Sequence, residues 1–158
     1  MVYIGIGSNL GNRIKNINKA KYLLSLNGIN ILKSSSYYES LSWPDRSQPK
    51  FINIVIQLDT DISPQKILQI SQTIENKLGR KKTYKNAPRT CDIDILSYKN
   101  RVISGDITIP HKRMSKRNFV VIPLFEIAPN YVHPKTNISI KKLIFSLPNK
   151  DIRSIKQI

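Results

Sequence analysis

Asp92 and Asp94 stand one residue apart in "RTCDIDIL" (89–96), in a chain with ten acidic residues against 26 Lys plus Arg. Side chains alternate along extended backbone, so the two carboxylates share one face while Cys91, Ile93 and Ile95 share the other. Two carboxylates that close repel unless positive charge lies between or above them. Nearby basic side chains supply it if the pair makes salt bridges. A hard divalent ion such as Mg²⁺ is the second source, because it takes oxygen ligands, commonly one or two carboxylates together with substrate phosphates. The neighbours favour the second. Arg80, Lys81, Lys82, Lys85 and Arg89 precede the pair, and His111, Lys112, Arg113, Lys116 and Arg117 follow it. Acidic metal ligands flanked by phosphate donors describe a polyphosphate site. No G-x-x-x-x-G-K-[ST] run occurs, which removes a Walker-type cradle.

A second group suits a flat ring. Phe51 and Asn53 fall on one face of a strand, where an aromatic can stack on a heterocycle and an amide can pair with its edge. Phe119 can close the stack from the other side. Ordinary core packing of both phenylalanines is the competing reading. Trp43, in a polar loop that carries two prolines, either folds back on the body or covers a ligand.

The elements that must position these residues follow from periodicity. "VYIGIG" (2–7) reads as a central strand and "GSNLGNR" (7–13) as a turn. Residues 12–26 read as a helix with an inward stripe of Ile14, Ile17, Lys21 and Leu24. Residues 29–38 are strand-like, 41–50 form a loop, and "FINIVIQLD" (51–59) alternates as a strand. Ser63 and Pro64 start a helix, Ile67, Ser71, Ile74 and Leu78 form its stripe, and Gly79 ends it. A basic loop (79–88), a strand (91–97), a hairpin-like stretch (100–110), a helix (114–127) and a small last helix (139–147) complete the chain. The order β-α-β-β-α-β predicts an α+β, ferredoxin-like fold: a mostly antiparallel sheet with helices on one face.

The 158 residues read as one domain, 1–158, with enough apolar content for a core. No apolar run approaches the ~18 residues of a membrane span, and the N-terminus has no secretory pattern. The single cysteine fits a reducing cytoplasm and a core position. The formal charge of +16 raises nucleic acid as a partner. The lysines are scattered, though, and no segment matches the aromatic signature of an RNA-recognition domain. A non-catalytic ligand-binding domain on the same scaffold is the other rival. Neither a nucleic acid nor a membrane is expected as partner, and the chain is expected to be a monomer.

Taken together, "GSNLGNR", "FINIVI", "PRTCDIDIL" and "IPHKRMSKRNFVVIPLFEIAP" (109–129) resemble the 6-hydroxymethyl-7,8-dihydropterin pyrophosphokinases of folate biosynthesis, from about Tyr3 to His133. The resemblance implies transfer of the β,γ-diphosphate of ATP to the pterin hydroxymethyl oxygen, with two Mg²⁺ and AMP as second product. By the same resemblance Asp92 and Asp94 are metal ligands, and Gln72, Arg80, Lys82, Arg89, Ile95, Thr108, His111 and Arg117 meet ATP. It also assigns Leu41, Trp43, Phe51, Asn53, Glu75 and Phe119 to the pterin, and Arg80, Arg89 and Asp94 to catalysis. The loops at 41–50 and 79–88 are expected to close over the substrates. Several positions depart from the family pattern. The basic loop is one residue shorter and lacks the usual Trp, with Lys85 or Asn86 there instead. Lys82 replaces an Arg, Lys112 a Tyr, and Ser40-Leu41 a Thr-Pro.

Overall fold

The protein was analysed as a computed structural model that describes residues 1–80, 84 and 86–158. The first strand, β1 (Val2–Ser8), runs into a turn from which α1 (Arg13–Leu26) starts. The Asn12 side chain accepts the Lys15 N–H and so caps that start, a contact that contributes about 1 kcal/mol at such a position. The strand expected over 29–38 divides into β2 (Asn30–Ser34) and β3 (Tyr38–Ser40), and β4 (Phe51–Asp59) follows the proline-bounded loop. Helix α2 (Pro64–Lys77) begins as the sequence predicts. Ser63 accepts the Lys66 N–H, Pro64 opens the first turn, and Gly79 leaves it with a φ of 83° that glycine tolerates. Strand β5 (Asp92–Tyr98) carries the aspartate pair.

The helix expected over 114–127 is broken. A 3₁₀ turn at Met114–Lys116 and α3 (Asn118–Ile127) are separated by Arg117, whose φ and ψ of −111° and 108° are extended. The extended residue serves two contacts. The Arg117 carbonyl accepts the N–H groups of Val120 and Val121 and so starts α3, while its guanidinium is free to turn back toward β5. The tail forms α4 (Ile140–Phe145), within the expected 139–147, and then α5 (Asn149–Ser154) and β6 (Lys156–Gln157), which no sequence signal announced.

The sheet runs β5-β1-β4-β3-β6, with β2 also pairing β4, and the pairs are antiparallel. Both crossovers, β1-α1-β2 and β4-α2-β5, skip over a neighbouring strand, which is the ferredoxin-like arrangement. On one face Ile4, Ile6, Ile54, Ile56, Cys91 and Ile93 pack against Ile17, Ala20, Leu24, Ile67 and Ile74 of α1 and α2. The inward stripe of α1 is rotated from the expected one. Ala20 is buried, and Ile14 is 41% exposed.

The opposite face, expected to be open, is covered too. Val55 and Leu96 pack against Val120, Val121 and Leu124 of α3 and Leu143 of α4. For this reason β4 is buried along eight of its nine residues, although its sequence alternates like a half-exposed strand. No helix among the described residues is long and apolar enough to cross a membrane.

Cys91 is a core residue, as its place on the strand required. It is fully buried, and burial, with the nearby Glu75 and Asp92 charges, pushes its thiol up from 9.0 to about 12. Because the unfolded thiol ionises first, this group's contribution to stability falls as pH rises above about 9, continuing until the folded thiol itself ionises. Maleimide labelling at pH 8 is expected to be at least about a hundredfold slower in the folded chain than in guanidinium chloride. Equal rates would show that Cys91 is accessible.

Candidate active site

The register of the sheet assembles the site. Gly7 of β1 lies between Asp92 of β5 and Asn53 of β4, and Gly5 lies between Asp94 and Val55. Two glycines at i and i+2 clear the middle of a row that has carboxylates on one side and Asn53 and Val55 of β4 on the other. The clearance at Gly7 is needed, because a Cβ there would stand 2.7 Å from Asn53 Oδ1 and 3.3 Å from the Phe51 ring. In the sequence both glycines read as plain strand. Their i, i+2 spacing inside an Ile-rich strand was the available signal.

Above this floor lies a cavity of about 250 Å³ lined by Asp92, Asp94, Arg80, Arg89, Arg117, Trp43, Phe51, Asn53 and Phe119, nine of the expected site residues. Asn53 donates from Nδ2 to Ser40 Oγ at 2.9 Å, which fixes the amide and leaves its oxygen as an acceptor beside Gly7. The carboxylates are held by guanidinium groups. Arg80 reaches Asp92 at 2.9 Å, Arg89 reaches it at 3.4 Å, and Arg117 reaches Asp94 at 2.8 Å. Salt bridges are therefore what these aspartates make in this structure. Burial, followed by the Asp94 charge, nevertheless pushes Asp92 above its usual range against Arg89, Arg80 and Arg117. Arg89 Nε and Arg117 Nε are buried and find no acceptor among the described residues. Buried N–H groups of this kind are normally satisfied.

His111 Nε2 is 3.8 Å from Asp94 Oδ2, too long for a hydrogen bond. Burial lowers the imidazole below its ordinary value, so it is neutral near pH 7. Its Nδ1 accepts the Arg113 N–H at 3.2 Å, which leaves the ring proton on Nε2 and facing the cavity carboxylate.

Several expected residues lie elsewhere. Glu75 does not line the cavity; it is buried beneath it, accepts the Ile93 N–H at 2.8 Å and pairs with Arg80. It closes the open edge of β5 and steadies the Arg80–Asp92 pair, with its own carboxyl pushed up by burial. Ile95 faces the α1/α2 core, as strand alternation requires, and Thr108 is half-buried next to core residue Ile109. Gln72 is exposed on α2. Leu41 lines a smaller pocket behind Trp43. Lys82 lies outside the described residues, as do Lys81, Thr83 and Lys85 of the same basic loop. Arg113, named among the basic neighbours of the aspartate pair but given no ligand by the resemblance, lines the cavity, as do Ser40 and Asn86.

Asn9 was also missed. It accepts the Arg89 N–H at 2.7 Å, and its backbone N–H donates to the Arg89 carbonyl at 3.1 Å. Its Nδ2 donates to the Pro49 carbonyl at 3.2 Å, so one side chain ties the first turn to both site loops.

In this ferredoxin-like domain the sheet carries a carboxylate pair, ringed by arginines and continuous with an aromatic-amide wall. A family model for 7,8-dihydro-6-hydroxymethylpterin-pyrophosphokinase matches residues 3–129, and the chain belongs to that family. It is 43% identical over 134 residues to a 2-amino-4-hydroxy-6-hydroxymethyldihydropteridine pyrophosphokinase of Aquifex aeolicus, covering 84% of this chain and 83% of that protein. It is 41% identical over 155 residues to the folic acid synthesis protein fol1 of Pneumocystis carinii, covering 98% of this chain. The chain spans only 21% and 23% of the length of that protein and of its Dictyostelium discoideum counterpart. Among solved structures, an HPPK-DHPS in complex with substrates superposes with a TM-score of 0.70 at 17% identity, over 92% of this chain and 43% of that one. At that identity the likeness concerns the fold.

Proposed function

We propose that residues 1–158 form a single pyrophosphokinase domain that uses ATP and Mg²⁺. It moves the β,γ-diphosphate of ATP to the hydroxymethyl oxygen of 6-hydroxymethyl-7,8-dihydropterin. The observation that carries the reading is one continuous cavity in which a Phe51–Asn53–Phe119 wall adjoins an Asp92–Asp94 pair surrounded by arginines. In the reaction the substrate oxygen bonds to the β-phosphorus, the α–β bridging oxygen leaves with AMP, and the hydroxyl proton is released.

The residues fit such a reaction. Asn53 Oδ1, held by Ser40, accepts from the N–H edge of the pterin, and the two phenyl rings flank its faces. Arg80, Arg89, Arg117 and the Nε2–H of His111 take phosphate oxygens. Asp92 and Asp94 supply the hard oxygen donors that divalent ions take, and the strained carboxylate pair gains from positive charge placed between them. Asp92 and Asp94 would hold such ions, whose charge would offset that of the phosphates. The chain's own part is positioning, which lets the hydroxymethyl oxygen meet phosphorus in line. The described cavity is smaller than the ~300–1,000 Å³ of an ordinary ligand pocket, so the adenosine would lie outside it, against the rim.

Incubation with the pterin, ATP and Mg²⁺, followed by separation of the nucleotides, tests the reading. AMP together with a pterin diphosphate is the expected outcome. ADP would mean an ordinary monophosphate kinase, and no pterin-dependent turnover would refute transfer altogether.

A further inference from the structure

Arg113 differs from the other arginines of the cavity. Arg80 and Arg89 are matched to Asp92, and Arg117 to Asp94, whereas Arg113 reaches no carboxylate among the described residues. Its guanidinium instead lies 5.1 Å from the centroid of the Trp43 ring, which Arg117 also approaches at 5.6 Å. Trp43 and Arg113 both line the cavity. The backbone that carries Arg113 is fixed. Its N–H donates to His111 Nδ1 and its carbonyl accepts the Lys116 N–H at 3.2 Å, so it rides on the turn that also presents His111 and Arg117. Trp43 is braced as well: its loop is tied to α5 by an Arg46–Asp151 ion pair of 2.7 Å, and α5 to the start of α3 by Asn118 Nδ2 donating to the Asp151 carbonyl at 2.6 Å.

A guanidinium lying on an aromatic face keeps its planar fork of N–H donors directed outward, ready for an oxyanion. The cavity wall holds four such groups against two carboxylates, so its surplus charge is positive and Arg113 is the member with no carboxylate to balance it. We propose that Arg113 is a further phosphate-binding residue of this site, presented to the polyphosphate by the Trp43 indole. The inference rests on the reading of the cavity as a nucleotide-dependent transfer site and adds a contact to it. Trp43 then acts as a positioning residue: it holds the fork on one wall of the phosphate subsite and links that subsite to the loop bordering the pterin wall. A solvated surface arginine that merely covers an exposed tryptophan is the competing account.

Trp43 is the single tryptophan of the chain, so its emission reports on this corner of the cavity. Inorganic tripolyphosphate with Mg²⁺ serves as the probe, titrated against Trp43 fluorescence and, independently, by calorimetry. In the wild type the emission is expected to change on binding. Arg113→Ala should weaken tripolyphosphate binding about tenfold, the loss of one charge-assisted contact, and should flatten the dependence of affinity on salt. Arg113→Lys should fall between, because it keeps the charge without the fork. Calorimetry on Trp43→Phe should show more affinity retained than on Trp43→Ala. Unchanged affinity and salt dependence in Arg113→Ala, with an unchanged circular dichroism melt, would overturn the proposal. Binding is read here without turnover. A chain that makes no AMP yet shows the Arg113-dependent affinity loses the transfer reaction and keeps the phosphate contact.

Discussion

Asp94→Ala is expected to lower the rate of AMP formation at least about a thousandfold, which corresponds to ~4 kcal/mol of lost transition-state stabilisation. Asp92→Ala should do the same. Both carboxylates stand on one face of β5 over the Gly5–Gly7 floor, and both line the cavity. The fold should tolerate either change. Each aspartate is half-buried at the cavity wall, and the core face of the strand is built by Cys91, Ile93 and Ile95. Removing one charge also relieves the repulsion between the two. The melting temperature is therefore expected to move by only a few degrees, set against the ~2–4 °C that 1 kcal/mol produces in a domain of this size. Loss of Asp94 leaves the Arg117 guanidinium without its 2.8 Å partner, so tripolyphosphate should still bind while transfer fails. Turnover within tenfold of wild type in either variant, measured by AMP formation, would contradict the role given to the pair.

Gly7→Ala is expected to lower affinity for the pterin by about tenfold or more, and to affect tripolyphosphate far less. The added methyl would sit 2.7 Å from Asn53 Oδ1, the atom assigned to read the pterin edge, and 3.3 Å from the Phe51 ring. Asn53 is buried and tied to Ser40, so its amide cannot swing aside without breaking that bond. Overpacking of this kind costs ~1–3 kcal/mol. Here the strain falls on the ring-binding wall rather than on the helical core. Calorimetric titration with the pterin and, separately, with tripolyphosphate checks it. Equal losses for both ligands would mean that the substitution distorts the sheet as a whole, and no loss for either would show that the wall has room to spare.

The parts of this molecule that the sequence made legible are those governed by short-range rules. Ser63, Pro64 and Gly79 bounded α2 because capping and positive φ act within a few residues. The alternation of β5 put Asp92 and Asp94 together because period two is a property of the strand itself. The resemblance to the pyrophosphokinases named half of the cavity wall, including Phe119, which lies 68 positions beyond Phe51 in the numbering.

What stayed hidden depends on where distant segments meet. The second helical layer was missed because β4 alternates as though half-exposed, and only α3 folding back buries its other face. Glu75 was expected at the pterin, but it works on the edge of β5, where the unpaired Ile93 N–H needs an acceptor. Asn9 and Arg113 act through partners 80 and 70 positions away, Arg89 and Trp43, and no local pattern marks such pairs. The break at Arg117 was likewise illegible, since a continuous helical pattern runs through it and the reason for it lies across the cavity at Asp94.

The central claim is that the cavity moves a two-phosphorus unit and not one. Position-labelled ATP tests it most directly. With the label on the β-phosphorus, radioactivity should leave the nucleotide and appear in the pterin product. With the label on the α-phosphorus, it should remain in AMP. Label from the β-position retained in ADP, with only γ-label reaching the pterin, would contradict diphosphate transfer and with it the account of the Asp92–Asp94 site.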